Sequence, residues 1–522
     1  MSWRVNLFKV LRTKVKEFLR NTSLPGLKYV WDNSLPHWVQ FYFGAVFVLS
    51  MFVAINQSLN VFNKWQSTPV IMGKSARLER IQNSPFPAIT LCNMNKAKYS
   101  KVSDIKTGSL DYAMLQRTCY QKIDFTQYQN IKPRSKNDTF ANFMVSVSPK
   151  CEEMIIWCQF GPTQRPCTDI FREFFVDEGL CCVFNLLHPY YLYKHDASYV
   201  RDYTTSKGIT EIAVDWNPMT GYPKSLPAAY YPRRSIGVGV SNGLQLVLNG
   251  NISDYYCSST NGQGFKVLLY NSIDQPHMKE SGLPSMLGHE TNYRIVPRSY
   301  SAISSIRSIA RSKRQCIFSD EQELLFYRYY TRRNCEAECD ALYFHRLCNC
   351  IPHHLPLIYR NASVCFVQHF ACLARAEAQL VDGDTNACKE LCLASCHDVS
   401  IFPDQFAIPF SQSGVGLRNK IFQNLSIDYI RENMAVVNFY YDNDFIHGYV
   451  RSSYTGPTEY MSLTGGIMSL MFGFSVVFIA ELIHILRYVI QFLFCFVFLH
   501  IYQLLHYIEF VFVFLYVCSL QI

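Results

Sequence analysis

Two long apolar stretches lie near the ends of the 522-residue chain, and a mixed polar region separates them. Residues 33–63 contain no Asp, Glu, Lys or Arg, and the later stretch, Gly465–Leu486, contains one charge, Glu481. A bilayer core of about 30 Å is crossed by about 20 mostly apolar residues in a helix, so each stretch is long enough to span a membrane. The pattern predicts an N-terminal segment, 1–36, a first span, 37–62, a middle region, 63–460, a second span, 461–487, and an apolar tail, 488–522.

The charges around these stretches predict the side of the membrane on which each segment lies. Residues 1–62 carry seven basic and two acidic side chains. Because short basic flanks stay in the cytosol, we expect a cytosolic N-terminus and an extracellular middle region. The basic run Arg4–Arg20 is interpreted as this topology signal and not as a nucleic-acid site. The first stretch lies too far from the N-terminus and is too long for a signal peptide, which indicates an uncleaved membrane anchor. Together the two stretches predict a multi-pass plasma-membrane protein in contact with the lipid bilayer.

The cysteines agree with this topology. Eighteen of the 20 lie between Cys92 and Cys396, and an even number in an oxidising compartment is typical of a disulfide framework. The adjacent Cys181 and Cys182 are expected to bond to separate partners. The middle region also holds four glycosylation sequons, at Asn137, Asn251, Asn361 and Asn424.

The densest cysteine region is 335–396. An x3 gap between two cysteines places both on one helix face, so two such helices side by side could be stapled rung by rung. A metal site is the alternative, because His345, His353 and His354 interleave with these cysteines, but extracellular thiols oxidise and we favour disulfides. No metal or cofactor is expected. The nine cysteines of this predicted ladder are Cys335, Cys339, Cys348, Cys350, Cys365, Cys372, Cys388, Cys392 and Cys396.

The middle region is predicted to be a large α+β ectodomain. Helical patterns are clearest at 321–342 and 387–395. A literal Gly-x-Ser-x-Gly match at Gly239–Gly243 is interpreted as a turn, because a strand pattern follows it where a nucleophile elbow needs a helix. An enzyme is therefore not favoured. The predicted strands are 88–92, 209–214, 244–248, 265–270 and 436–441.

The second span carries the chemically informative residues. Gly465, Ser469 and Gly473 recur every four residues and form a small-residue stripe, which suits either helix packing or a pore. Glu481 favours a pore, since a carboxylate within a span usually faces water, and an ideal helix would place it about 80° from Gly473. Gly473 and Ser475 lie about 160° apart on such a helix, so either Ser475 packs against a neighbour or the backbone is extended there.

These residues resemble the degenerin / epithelial sodium channel family, most closely its insect pickpocket branch. Gly465-Gly466, then Gly473-Phe474-Ser475, then Glu481 are similar to the family's second transmembrane segment. Phe86–Asn93 resembles its first extracellular strand, and 335–396 resembles its disulfide-laddered thumb. The resemblance covers about residues 20–487.

The resemblance implies a trimeric, amiloride-sensitive, sodium-selective channel made of one subunit type or of related subunits, with two spans and a hand-like ectodomain. Na⁺ would pass down its gradient without a cofactor. Gly473-Phe474-Ser475 would form the selectivity constriction as an extended break in the helix, and Glu481 would form a cation-attracting ring below it. Gly465, Gly466 and Ser469 would line the pore near the outer gate.

Two features depart from the family pattern. The family's cytosolic His-Gly gating motif is Pro25-Gly26 here, so only Gly26 carries over. The tail, 488–522, is apolar where the family has charged sequence. A third span, an amphipathic surface helix and an error in the gene model are the alternatives, and the abrupt end of the family pattern at Arg487 favours the last.

Two other functions stay open at this point, a membrane-anchored binding or adhesion receptor and an ATP-gated type of trimeric channel. The receptor would not need the Gly-Phe-Ser and Glu481 pattern, and the ATP-gated class would not explain the cysteines of 335–396. The sequence does not identify the gating stimulus.

Overall fold

The computed structural model describes residues 2–24, 26–121, 123–131, 138–194, 211–359, 361–381, 387–411, 420–454 and 456–505. They form two compact units, one within 1–71 and 453–522 and the other within 72–452. The helices are α1 (Ser2–Asn21), α2 (Leu27–Val30), α3 (His37–Ser67), α4 (Tyr99–Val102), α5 (Leu110–Thr118), α6 (Phe140–Val147), α7 (Cys151–Met154), α8 (Pro189–Leu192), α9 (Met278–Ser281), α10 (Arg311–Arg314), α11 (Arg332–Cys348), α12 (Phe370–Val381), α13 (Ala387–Leu391), α14 (Ile427–Asn433), α15 (Pro457–Phe472) and α16 (Val476–Leu505).

The strands alternate with these helices along the second unit. They are β1 (Val70–Lys74), β2 (Glu79–Arg80), β3 (Ala88–Asn93), β4 (Asn95–Lys98), β5 (Ile155–Phe160), β6 (Thr163–Gln164), β7 (Phe171–Val176), β8 (Gly179–Phe184), β9 (Ile212–Ala213), β10 (Tyr230–Tyr231), β11 (Leu244–Asn249), β12 (Tyr255–Ser258), β13 (Phe265–Tyr270), β14 (Leu283–Ser285), β15 (His289–Ala302), β16 (Cys316–Ile317), β17 (Ala394–Ser395), β18 (Asp398–Pro409), β19 (Met434–Tyr441) and β20 (Phe445–Ser453).

The unit within 1–71 and 453–522 is built from apolar helices. α3 is 31 residues long and contains the predicted first span. Among the residues that the structure describes, α3 is the one helix that is long and apolar enough to cross a membrane alone. α15 and the first part of α16, bent by 79°, meet the same test together as a broken span. α16 continues through Arg487 to Leu505 without interruption, so its described part shows no boundary where the tail was predicted to begin.

The unit within 72–452 is built on two sheets. The larger has nine strands in the order β1-β20-β15-β19-β11-β5-β6, with β18 added on β15 and β2 on β20. The smaller has five strands in the order β14-β13-β3-β8-β7. One apolar core joins residues of both sheets, including Leu246 of β11, Val437 of β19 and Phe265 of β13. Burial of these side chains drives the two sheets together.

β3 is buried on both faces, which explains why apolar and polar residues do not alternate along it. Ile89 and Leu91 face the core shared by the two sheets, while Ala88 and Cys92 face a second core built largely from helices. All six residues of β3 are buried. A strand that is covered on both faces has no polar side, which explains the absence of alternation in this segment.

The strand predictions are confirmed with small shifts of boundary. The structure places β13 on the predicted 265–270, extends β3, β11 and β19 by one or two residues, and shows only Ile212–Ala213 of the predicted 209–214 as a strand. Residues 209 and 210 lie outside the described residues. The Gly239–Gly243 match forms a short 3-10 turn that leads directly into β11, as predicted.

The two helix predictions were wrong at their boundaries. α11 starts at Arg332 because the Thr331 hydroxyl caps it, accepting a hydrogen bond from the Asn334 N–H at 3.2 Å. The N–H groups of Leu325 and Phe326, within the predicted helix, donate instead to the Glu338 carboxylate. The predicted helix 387–395 ends at Leu391, because Ala394–Ser395 pair with Cys316–Ile317 as a strand.

Candidate functional site

The second apolar segment is interrupted where its small residues cluster. α15 ends at Phe472 and α16 begins at Val476. Gly473 between them has φ 74° and ψ 24°, and its N–H donates to the Ser469 carbonyl at 2.9 Å. Glycine adopts this left-handed conformation at little cost, which is why it commonly ends helices. The local sequence therefore encodes the break.

Ser475 starts the next helix. Its hydroxyl accepts a hydrogen bond from the Phe478 N–H at 3.3 Å, and its carbonyl accepts one from Ile479 at 3.2 Å. This is the geometry of a serine N-cap. Gly473, Phe474 and Ser475 thus form a short non-helical link in which the first residue ends one helix and the last begins another.

The break changes the geometry predicted for an unbroken helix. The conflict between Gly473 and Ser475 disappears because the two residues do not share a helix. The predicted angle of about 80° between Gly473 and Glu481 was wrong for the same reason. The backbone of Gly473 is left-handed and not extended. The role of these residues in ion selection stays a prediction.

Gly465, Gly466 and Ser469 lie together on α15 and are exposed in the single chain. A Cβ added to either glycine would meet no heavy atom within 4 Å. Open space therefore lies beside these small residues. Packing within the described chain does not explain why they are small.

Glu481 is held by the segment that follows α1. Its Oε2 accepts hydrogen bonds from the Ser23 N–H at 3.1 Å, the Ser23 hydroxyl at 3.3 Å and the Thr22 hydroxyl at 3.4 Å. A carboxylate in an apolar helix needs such donors, because its own helix cannot supply them. No local pattern in the sequence predicts this contact, since 458 positions separate Ser23 from Glu481.

Gly26 lies just beyond this contact. It has φ 89°, and an added Cβ would approach Phe47 of α3 to 3.7 Å. Glycine thus suits the left-handed backbone at this position. Pro25, which stands where the family has histidine, lies outside the described residues.

Aromatic rings surround the break. The Phe472 ring centroid lies 6.3 Å from that of Phe47 and 6.0 Å from that of Phe474, which lies 5.6 Å from that of Phe478. Phe478 also approaches Phe18 of α1, with centroids 6.5 Å apart. These spacings are typical of favourable aromatic pairs. Rings from α1, α3, α15 and α16 therefore hold the link from several sides.

The predicted disulfide ladder is confirmed for eight of its nine cysteines, which pair among themselves. Cys335 bonds to Cys392 and Cys339 to Cys388, which ties α11 to α13 and the residue after it by two rungs. Cys396 departs from the ladder and bonds to Cys316 instead. The remaining pairs are Cys348–Cys372, Cys350–Cys365, Cys92–Cys181, Cys151–Cys182, Cys119–Cys257 and Cys158–Cys167.

The cysteines of the alternative metal site are oxidised, so they do not offer thiolates to a metal. Each cysteine that interleaves with His345, His353 and His354 is used in a disulfide. Cys181 and Cys182 bond to separate partners, as predicted. Three of the predicted glycosylation residues, Asn251, Asn361 and Asn424, are exposed, and Asn137 lies outside the described residues.

Comparison with known proteins shows which family the chain matches. A family model described as amiloride-sensitive sodium channel matches residues 18–485. The chain is 35% identical over 481 residues to Pickpocket protein 28 of Drosophila melanogaster, covering 90% of this chain and 78% of that protein. It is 23% identical to Acid-sensing ion channel 2 of Mus musculus, covering 77% of this chain and 72% of that protein.

A solved structure also matches the chain. A cryo-EM structure of a proton-activated chloride channel aligns with 85% of this chain and 95% of its own, at a TM-score of 0.29 and 8% identity. At this TM-score the likeness supports no conclusion about the fold or the function of the chain.

Proposed function

We propose that this chain, which belongs to the amiloride-sensitive sodium channel family, selects sodium at the link Gly473-Phe474-Ser475. The chain is a cation channel subunit and not an enzyme, and sodium selectivity and amiloride sensitivity fit its family. Membership of this family also argues against the two alternative functions, a membrane-anchored receptor and an ATP-gated type of channel. The observation that carries the proposal is the interruption of the second apolar segment at these three residues.

The mechanism is passive. A helix supplies no free backbone carbonyls to a pore, whereas a non-helical link between two helices does, and carbonyls can replace part of the hydration shell of a cation. We propose that three copies, from one or from related subunits, bring this link together around the ion path. The open space beside Gly465 and Gly466 and the exposure of Ser469 on α15 support close approach of other copies there.

The ion path would continue past Glu481. Ser23 and Thr22 hold this carboxylate in place, which supports a fixed ring of negative charge on the cytosolic side of the link. The proposal places the protein in the plasma membrane with α3 and the α15–α16 pair as the two spans. The basic N-terminal segment would be cytosolic, and the disulfide-bonded unit within 72–452 extracellular.

The test is voltage-clamp recording from cells that express the full chain, alone and with related subunits. Ser475→Asn adds bulk at the link while keeping a residue that can cap α16, and Ser475→Ala removes the cap without adding bulk. We expect an amiloride-blocked current whose sodium-to-potassium preference falls in Ser475→Asn, changes less in Ser475→Ala, and is unchanged in the exposed control Ser67→Asn. Glu481→Gln should lower conductance.

Several outcomes would contradict the assignment. Unchanged selectivity and conductance in both Ser475→Asn and Glu481→Gln, in a channel that conducts, would show that these residues do not form the pore. A subunit count other than three by single-molecule photobleaching would exclude the trimer.

A further inference from the structure

A cavity of about 580 Å³ lies in the unit within 72–452. Its wall is formed by the end of β13 and the loop after it, the first turn of α11, and the start of β18. This volume is typical of a site for a small organic molecule. The lining is mainly apolar and includes Leu268, Leu283 and Ile401.

Hydrogen bonds hold the wall of the cavity in place. The Asn334 side chain of α11 accepts from the Gln275 N–H at 2.8 Å and donates to the Ile273 carbonyl at 2.9 Å. The Asn271 amide donates to the Val399 carbonyl of β18 at 3.4 Å. The loop after β13 is thus tied to both other elements, so the cavity is preformed and a ligand would not have to order it.

Two carboxyl groups, those of Asp274 and Asp398, line this apolar cavity. Asp274 Oδ1 and the neighbouring His277 Nε2 are buried without a hydrogen-bond partner among the described residues. Asp398 accepts hydrogen bonds from the Ser400 hydroxyl at 3.0 Å and from the Val399 backbone, and Asp274 accepts one from the Thr331 side chain. Buried polar atoms are seldom left unpaired, so these atoms indicate a missing partner.

The electrostatics indicate the charge of that partner. Burial, followed by the charge of Asp398, raises the pKa of Asp274 to about 7, and burial also raises the pKa of Asp398 despite the opposing effect of Arg451. The surroundings therefore supply too little positive charge for two ionised carboxylates.

Two arginines, Arg332 and Arg333, also line the cavity, and both are engaged by Glu336. Arg332 Nε donates to Glu336 at 2.8 Å. Arg333 donates to the Ser281 hydroxyl at 3.1 Å and lies 3.8 Å from the same Glu336. Glu336 offsets one of these two positive charges. The charge of Arg333 lowers the pKa of Asp274, but by less than burial and the charge of Asp398 raise it, so the carboxyl pair remains short of positive charge.

We propose that this cavity binds a small organic cation, with an ammonium or guanidinium group at Asp274 and Asp398 and an apolar body against Leu268, Leu283 and Ile401. A charged donor would form hydrogen bonds to both carboxylates, which are stronger than those between neutral groups. An organic cation fits better than a metal ion, because the described residues contain no cluster of three or more ligating side chains. The proposal is independent of the proposed pore, since binding is measured directly.

The test uses the full chain purified in detergent, with thermal unfolding as the readout. The probes are 2-phenylethylamine, the neutral 2-phenylethanol and the anionic 3-phenylpropanoate at matched concentrations. We expect the amine to raise the Tm saturably and the other two to have little effect. Asp274→Asn and Asp398→Asn should each weaken amine binding at least tenfold, and Asp428→Asn, at an exposed position on α14, should leave it unchanged.

Two results would overturn the proposal. An equal shift with 2-phenylethanol would show an apolar cavity without preference for charge, and an amine shift that survives both Asn variants would place the amine elsewhere, such as in the micelle. If the Asn variants fail to fold, Leu283→Trp provides a second test, because it fills the cavity from its apolar side and leaves both carboxyls intact. Amine binding that persists in Leu283→Trp would also exclude this cavity.

Discussion

His353 and His354 illustrate how the interior sets the chemistry of single residues. Burial, and then the charge of Arg117, lowers the pKa of His353 to about 3, and burial holds the pKa of His354 well below 6.5. The His353 ring lies edge-on to Phe140 and Phe175, with centroids 5.3 and 5.4 Å apart. These imidazoles, candidate metal ligands by sequence, are half-buried beside aromatic rings, and their lowered pKa values favour the neutral form near pH 7.

The first prediction concerns the pH dependence of stability. Below pH 6.5 the unfolded chain binds protons that the folded His353 does not accept, so stability falls as the pH decreases toward about 3. The loss is at most about 1.4 kcal/mol per pH unit for each such histidine. Thermal unfolding of the full chain between pH 7.5 and 4.5 should show a flatter dependence in His353→Leu than in the wild type. Parallel curves, as we expect for the exposed control His447→Leu, would contradict the prediction.

The second prediction compares two glycines of the same apolar segment. Gly473 has φ 74°, where an L side chain costs about 1–2 kcal/mol, whereas Gly465 lies within α15 with open space at its Cβ position. Gly473→Ala should lower the Tm of the purified chain, and Gly465→Ala should maintain or raise it because alanine favours a helix. The same Tm for both variants would mean that the break does not depend on a left-handed residue.

At the scale of elements, α11 shows how the spacing of cysteines along a helix determines which disulfides can form. Cys335 and Cys339 lie one helical turn apart, and each reaches a cysteine that is also spaced by four in 388–392. The helix ends at Cys348, and Asn349 after it has φ 53°, which places Cys350 off the helix to bond with Cys365. Helical periodicity thus determines which cysteines can meet, and the caps determine where the ladder stops.

The third prediction compares a rung of this ladder with a local disulfide. Cys339–Cys388 closes a separation of 49 residues, whereas Cys158–Cys167 closes one of 9. On the chain-entropy model, isolated loops of these sizes give about 4 and about 3 kcal/mol. Because the neighbouring rung Cys335–Cys392 holds the same two segments together, both rungs must be removed to open this loop. We therefore expect Cys335→Ala/Cys339→Ala/Cys388→Ala/Cys392→Ala to lower the Tm more than Cys158→Ala/Cys167→Ala, each measured on the full chain. The reverse order would show that native packing, and not loop length, dominates.

At the scale of the whole molecule, the distribution of charge and cysteine predicts the topology. The nine disulfides all lie within 92–396, and the basic excess of residues 1–62 precedes α3. Disulfides form on the oxidising side of the membrane and basic flanks stay on the other side, so the two signals are independent and agree.

The fourth prediction tests that topology. Asn251, Asn361 and Asn424 are exposed in the unit within 72–452, and an extracellular location would allow glycans there. Glycosidase treatment of protein from insect cells should increase its gel mobility, and each Asn→Gln change should remove part of that shift. Asn21→Gln, at a sequon in the N-terminal segment, should have no effect. Complete absence of glycans would contradict an extracellular middle region.

The sequence by itself determined the features that depend on neighbouring residues. Apolar run length indicated two spans, period-four cysteines indicated the ladder, and the angle between Gly473 and Ser475 exposed a conflict that a helix break resolves. β13 was predicted at its observed boundaries because its strand pattern is strictly local. Such features follow from backbone geometry alone, so a single sequence is enough to show them.

Only the tertiary structure decided the features that join distant residues. The periodicity of apolar residues could not predict that α11 starts after Thr331. The apolar residues before it form a loop whose N–H groups donate to Glu338. The same holds for the contact of Glu481 with Ser23, the bond of Cys396 to Cys316, and the cavity that joins Asp274 and Asp398. In each case the partners are far apart in sequence, and the energy of burying or pairing them exists only after the chain has folded.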